Sequence, residues 1–211
     1  MSAKQPRSWN LGQSAGALVG LIILTVFLSI ASPYFLTWDN LLNVALQTAT
    51  YILVALGMTY VIVTGGIDLS VGSVSALAGV VMALAMKNGM SVGSAIFLGL
   101  ITSIPCGLVN GLLISFGNLQ PFIVTLGTMS IMRGIALILT GGIPIYGFPK
   151  AFRWFGTGRV GGVPIAAIIA VVVALVAAFL FTKTKVGHYA TAIGSNEKAA
   201  RVCGTNLERY K

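Results

Sequence analysis

The chain alternates between long apolar runs and short breaks of polar residues, glycine and proline. Runs at about 12–31, 41–64, 69–86, 92–116, 122–139 and 164–181 are near the ~20 residues that an α-helix needs to cross a bilayer core. Each predicts a membrane-spanning helix, six crossings in all. The breaks carry their own signals. Asp39 or Asn40 is placed to cap the second span and Asp68 the third, because a short polar side chain accepts from the exposed amides of a first turn. Gly65 and Gly66 end the second span, and Lys87-Asn88-Gly89 makes a short turn. Pro121 suits the start of the fifth span. Pro105, inside the fourth, frees a carbonyl and predicts a kink. Gly12, Gly16 and Gly20 form a smooth stripe along the first span, where another backbone could approach. Residues 140–163 read as a long glycine- and aromatic-rich loop whose Trp and Tyr suit a membrane interface.

Composition turns the run pattern into a fold class. Of 211 residues, 56% are hydrophobic and only 8% are charged. A soluble domain needs about 25% charged residues to cover its surface, so the chain is expected to be an all-α, polytopic membrane protein. The first run precedes further spans and is read as a retained helix, not a cleaved leader. The third run is rich in small residues and is expected to lie buried among other helices.

Charge and reactive groups narrow the function. The net charge of +9 would point to nucleic acid in a soluble protein, but the cations lie mostly outside the spans and no basic patch carries interleaved aromatics. One histidine (His188) and four acids are too few for a metal cluster or a paired-carboxylate site. Cys106 lies in an apolar run and Cys203 in the polar tail, so no disulfide is expected. The inventory predicts a non-enzyme with no metal and no cofactor.

Four polar residues in or beside the runs stand out: Gln47, Asp68, Asn110 and Arg133. In lipid such groups need partners, so they face other helices or water. They are candidates for a translocation path, with interhelical bonding as the alternative. Arg133 is the only charge well inside a run, and at mid-bilayer it costs about 2.5–3.5 kcal/mol on insertion scales. It must snorkel, pair, or face a hydrated cavity, and Asp68 is a candidate partner. Whether the turn at 65–70 lies at the surface or within the membrane stays open.

Six crossings put both ends on one side. Lys4, Arg7, Lys183, Lys185, Lys198, Arg201, Arg209 and Lys211 share that side, eight cations against four (Lys87, Lys150, Arg153 and Arg159) on the other. The positive-inside rule places both ends in the cytoplasm.

Residues 187–204, GHYATAIGSNEKAARVCG, are the longest polar passage. Ser195 or Asn196 is placed to cap a helix of about two turns. Glu197 and Arg201 suit the two ends of its dipole, and Gly204 suits its stop. A capped polar helix after a span reads as a docking element for another protein or as a solvated loop helix.

Three stretches together resemble one family: GGIDLSVGS (65–73), PFIVTLGTMSIMRGIALILTGG (121–142) and GHYATAIGSNEKAARVCGTN (187–206). The chain resembles, over nearly its whole length, the membrane permeases of bacterial ribose/xylose-type sugar ABC importers. The resemblance implies a permease subunit in the bacterial inner (plasma) membrane that carries a ribose-like monosaccharide by alternating access. It also implies an ATP-binding partner subunit, a periplasmic or extracellular sugar-binding protein, and a second permease chain in a homodimer. The third stretch then resembles the cytoplasmic coupling loop, with Gly194, Asn196, Glu197, Ala199, Ala200, Arg201 and Gly204 meeting the ATP-binding subunit. No phosphate-loop motif is present here, so ATP hydrolysis is expected in the partner. Family permeases have about ten spans. The chain is accordingly expected to be the N-terminal part of one transmembrane domain, with 183–211 holding the coupling loop and the start of the next helix. Different readings are a stand-alone channel or secondary transporter, which would place more ionisable residues in its spans, and a truncated fragment that transports nothing.

Overall fold

A computed structural model describes residues 11–210. It is almost wholly helical: α1 (Leu11–Ala31), α2 (Trp38–Val63), α3 (Val71–Lys87), α4 (Val92–Ser115), α5 (Pro121–Thr140), α6 (Lys150–Thr157), α7 (Ile165–Lys183), α8 (Lys185–Ser195), α9 (Glu197–Val202) and α10 (Leu207–Tyr210). The one sheet among the described residues pairs β1 (Arg159–Val160) with β2 (Val163–Pro164), antiparallel. Helices α2, α4, α5 and α7 are long and apolar enough to cross a membrane, and α3 and the Ala15–Ala31 part of α1 are shorter apolar helices. These are the six expected runs in order, and the protein is an all-α polytopic membrane protein.

The backbone forms two compact units, Met1–Ala45 and Leu46–Lys211. In the first, α1 ends in a turn that leads into α2. Neither Asp39 nor Asn40 caps α2. The Thr37 hydroxyl oxygen accepts from the Asn40 amide at 3.4 Å, while the Asn40 side chain reaches back to donate to the Phe35 carbonyl at 2.7 Å. The cap falls two or three residues early because the helix starts at Trp38. A β-carbon at Gly16 or Gly20 would meet nothing within 4 Å, so among the described residues no backbone packs closely on these two positions.

In the second unit, α3 is the centre. Its small residues let it pack most extensively against α4 and α5, and Ser73, Leu77, Ala78, Ala83, Ala85 and Met86 are buried. At Gly99 of α4 a β-carbon would press on the Met82 side chain and the Ala78 carbonyl, which sets how closely α3 and α4 approach. α4 continues through Pro105. Pro121 opens α5, and Gly141, left-handed at φ 61°, closes it.

The expected 140–163 loop is more ordered than its composition announced. It holds α6, whose Phe152 packs with Phe148 on Ala85, Met86 and Ala95 at the facing ends of α3 and α4, and then the β1–β2 hairpin. α7 lies beside α2: the Tyr60 hydroxyl donates to the Ala177 carbonyl at 3.1 Å, and its ring meets Phe181 edge-on at 5.3 Å.

Candidate functional site: a polar turn and a docked helical knob

The stretch 64–70 is non-helical and follows a 26-residue helix. At 1.5 Å per residue that helix is about 39 Å long, already enough to cross. Gly65 takes φ 81°, a conformation that side chains with a β-carbon disfavour. Asp68 does not cap α3 directly. The N-cap is Ser70, and Asp68 Oδ1 accepts from the Ser70 amide at 2.7 Å and from its hydroxyl at 2.6 Å. The aspartate braces the cap from two residues ahead.

From Ser70 the hydrogen bonds run into the bundle. Asn110 Nδ2 donates to Ser70 Oγ at 3.0 Å, and Thr128 Oγ1 donates to Asn110 Oδ1 at 2.5 Å. Ser70, Asn110 and Thr128 are all buried. Thr125, also buried, donates to the Pro121 carbonyl at 2.8 Å and makes a longer contact to the Ile67 carbonyl at 3.3 Å. A single polar chain thus ties the turn to α4 and α5, and it satisfies each group in an interior where an unpaired one is costly. Asp68 and Asn110 were legible in the sequence. Ser70, Thr125 and Thr128 were not singled out, because serine and threonine in apolar helices commonly bond their own backbone and carry no distinguishing pattern.

Behind the turn lies a cavity of about 260 Å³. Asp68, Asn110 and Thr125 line it with Gly66, Gly107 and Gly111, and Val61, Ile67 and Ile114 form apolar walls. A β-carbon at Gly107 or Gly111 would meet nothing within 4 Å, so the α4 side of the cavity is open and flat.

The other two candidates stand apart. Gln47 is exposed on α2 and Arg133 is exposed on α5, and neither lines this cavity. Among the described residues Arg133 has no ion pair with Asp68, whose hydrogen bonds all go to Ser70. Thr125 marks the level of the turn, and eight residues separate it from Arg133 along α5. That is roughly 12 Å of helix, too far for the expected pair.

The tail forms a compact knob. What read as one short helix within 187–204 is two, α8 and α9, with Asn196 between them. Asn196 Oδ1 accepts from the Ala199 amide at 3.0 Å, the expected N-cap. Gly204, at φ 82°, closes the end: its amide bonds the Arg201 carbonyl, and the Thr205 amide bonds the Ala200 carbonyl, each at 3.0 Å. This is the left-handed glycine stop of a helix C-terminus. Ala200 is buried against Ile193, Leu207 and Tyr210. Gly194 sits where a β-carbon would overlap the Val63 carbonyl, so it holds α8 onto the end of α2. Ala200 and Gly194 therefore build the knob and seat it, while Asn196, Glu197, Ala199 and Arg201 are exposed. Glu197 and Arg201 also border a second cavity of about 260 Å³ with Ser115, Phe116, Asn118 and Leu207. Val202, not anticipated, is 88% exposed, an apolar tip on a polar helix.

No group of histidine, cysteine, aspartate or glutamate among the described residues is arranged to hold a metal. Cys106 is buried and Cys203 exposed, both free thiols.

Over residues 40–211 the chain matches the family described as branched-chain amino acid transport system / permease component. It is similar to the ribose import permease protein of Bacillus subtilis, at 43% identity over 94% of this chain and 62% of that protein. It is similar to the ribose import permease protein of Escherichia coli, at 38% identity over 97% of this chain and 64% of that protein. The D-allose transport system permease protein of Escherichia coli is 36% identical over 89% of this chain and 58% of its own length. The chain spans a little under two thirds of the length of the ribose permeases it matches. No solved structure matches it. An all-α bundle of apolar helices, a polar turn tied into it, and a match across most of the chain converge: the protein belongs to the family of branched-chain amino acid transport system permease components, alongside sugar import permeases.

Proposed function

We propose that the chain supplies membrane-spanning helices of an ATP-driven importer of a ribose-like monosaccharide, and that residues 183–211 form its contact with a separate ATP-binding subunit. The observation that carries this reading is the knob. It is a capped helix, α9, with Glu197 and Arg201 at the surface, fixed to the end of a spanning helix through Gly194 and Val63. The kinship with ribose import permeases supports the cargo class.

In this reading the chain performs no covalent chemistry. The ATP-binding subunit hydrolyses ATP and pushes on α9, a sugar-binding protein delivers cargo at the opposite face, and a second permease chain completes the path. The excess of cations on the terminal side supports a cytoplasmic position for the knob. In this reading Asp68 and Asn110, which line the cavity behind the 64–70 turn, belong to the translocation path.

The test is co-purification. Reversing charge with Glu197→Lys and Arg201→Glu together is expected to weaken association with the ATP-binding subunit while membrane insertion is retained. Undiminished co-purification would overturn the docking role. Orientation is checked on Cys203, which is exposed. A membrane-impermeant maleimide is expected to leave it unlabelled in intact cells and to label it in inverted vesicles, and labelling from outside would reverse the assignment.

A further inference from the structure

We propose that the turn between α4 and α5, residues 116–120, is a second contact with the ATP-binding subunit. The cavity between this turn and α9 then receives an uncharged polar side chain from that subunit. The proposal rests on the docking role of α9 given above and extends it to a separate element.

The turn and the knob share one cavity. Ser115, Phe116 and Asn118 line it from one side, and Glu197, Arg201 and Leu207 from the other. Its volume is about 260 Å³, far above the ~10–15 Å³ that a single water needs, so a side chain fits. Glu197 and Arg201 are the two residues through which α9 is proposed to meet the ATP-binding subunit. A partner seated on α9 is thereby brought to the mouth of the cavity, with the turn on its far side.

Asn118 gives the turn its chemistry. It takes φ 51°, in the left-handed region. Every other residue described there is a glycine, which has no β-carbon to clash. The turn is closed by backbone bonds: the Gly117 amide donates to the Leu112 carbonyl at 3.2 Å and the Leu119 amide to the Leu113 carbonyl at 3.3 Å. The Asn118 side chain makes no hydrogen bond among the described residues, so it does not hold the turn. Asn118 lines the cavity instead, and its amide brings two N–H donors and one oxygen acceptor that nothing else uses.

The walls then choose the occupant. They carry one carboxylate and one guanidinium, from Glu197 and Arg201, so a lone anion or a lone cation meets a like charge. An uncharged polar group meets none, and a carboxamide or a peptide group pairs with the Asn118 amide as both donor and acceptor. Apolar groups stand around this recess. Phe116 is 67% exposed and Leu119 49% on the turn, and Val202 follows Arg201 on α9. Exposed apolar groups gathered in one place mark a protein contact, and a free solute would leave them bare.

The test uses the full chain co-expressed with an affinity-tagged ATP-binding subunit. Phe116→benzoylphenylalanine keeps an aromatic ring at the cavity wall and adds a photoreactive ketone. Illumination is expected to join the two subunits. Cross-links to lipid alone, cross-links to a second copy of this chain alone, or none at all would overturn the contact. Asn118→Gly relieves the left-handed residue and removes the amide. It is expected to keep or raise the unfolding temperature while weakening association by roughly 2- to 10-fold, the range for one neutral hydrogen bond. A lower unfolding temperature would make Asn118 structural, and unchanged association would leave its amide without a partner. Either result overturns the proposal. The Glu197→Lys and Arg201→Glu pair, measured alongside, separates the two readings. If that pair releases the subunit while both changes at the turn are silent, the second contact alone falls. If the subunit does not associate even with the unmodified chain, the docking role of α9 falls with it.

Discussion

Gly194 and Val63 meet backbone to backbone: a β-carbon on Gly194 would overlap the Val63 carbonyl oxygen. This contact joins α8 to the end of α2, and it admits no side chain. Gly194→Ala must therefore move one helix away from the other. Overpacking of this kind costs about 1–3 kcal/mol. The expected outcome is a lower unfolding temperature in detergent. In the assembled transporter we expect ATP turnover that sugar no longer stimulates. An unchanged unfolding temperature would show that α8 relaxes without cost.

The Ser70–Asn110–Thr128 chain predicts non-additivity. Asn110→Ala removes the donor to Ser70 and the acceptor of Thr128 at once, and leaving a buried polar group unpaired costs about 1–3 kcal/mol. Thr128→Val breaks only the second bond. In a double-mutant cycle the pair is expected to couple by about 0.5–3 kcal/mol. Strict additivity in denaturant unfolding would mean that the two groups act independently.

The caps of α9 predict local loosening without global unfolding. Asn196→Ala removes the acceptor for the Ala199 amide, a loss typically near 1 kcal/mol. Gly204→Ala forces a β-carbon into a left-handed residue, at a cost of about 1–2 kcal/mol. Hydrogen exchange is the measurement. Amides of 199–205 are expected to lose protection while those of α3 do not.

Val202 predicts an interface effect separable from folding. At 88% exposure it contributes little to the stability of the knob, so Val202→Asp is expected to leave the unfolding temperature within about 0.5 kcal/mol equivalent. If the tip enters a groove on the ATP-binding subunit, the same change weakens co-purification. Retained association would place the contact elsewhere on α9.

Much of the fold could be read ahead of the structure because lipid imposes one strong rule, that apolar runs of sufficient length become helices. The six runs, the start at Pro121, the cap at Asn196 and the stop at Gly204 all followed from local chemistry. What escaped was set by tertiary neighbours. Thr37 outcompetes Asp39 and Asn40 because the turn brings its hydroxyl over the first amides. Ser70 and Thr128 matter only because Asn110 arrives from another helix. Gly187 and Gly194 disguised α8 as irregular chain, although both glycines serve close approach, to Phe181 and to Val63. α6 was hidden by its short length and its glycine-rich flanks. Arg133 and Asp68 were matched as opposite charges, without knowledge of how far apart along α5 they lie.

The left-handed residue at Gly204 turns the chain back on itself. Leu207 reaches the small core of Ile193 and Ala200, and the ring of Tyr210 comes to rest 4.6 Å from that of Tyr189. Three short helices are thereby strapped into one solid piece. In the proposed reading, a push delivered at α9 would reach α2 through this piece without slack, as through a crank and not a tether.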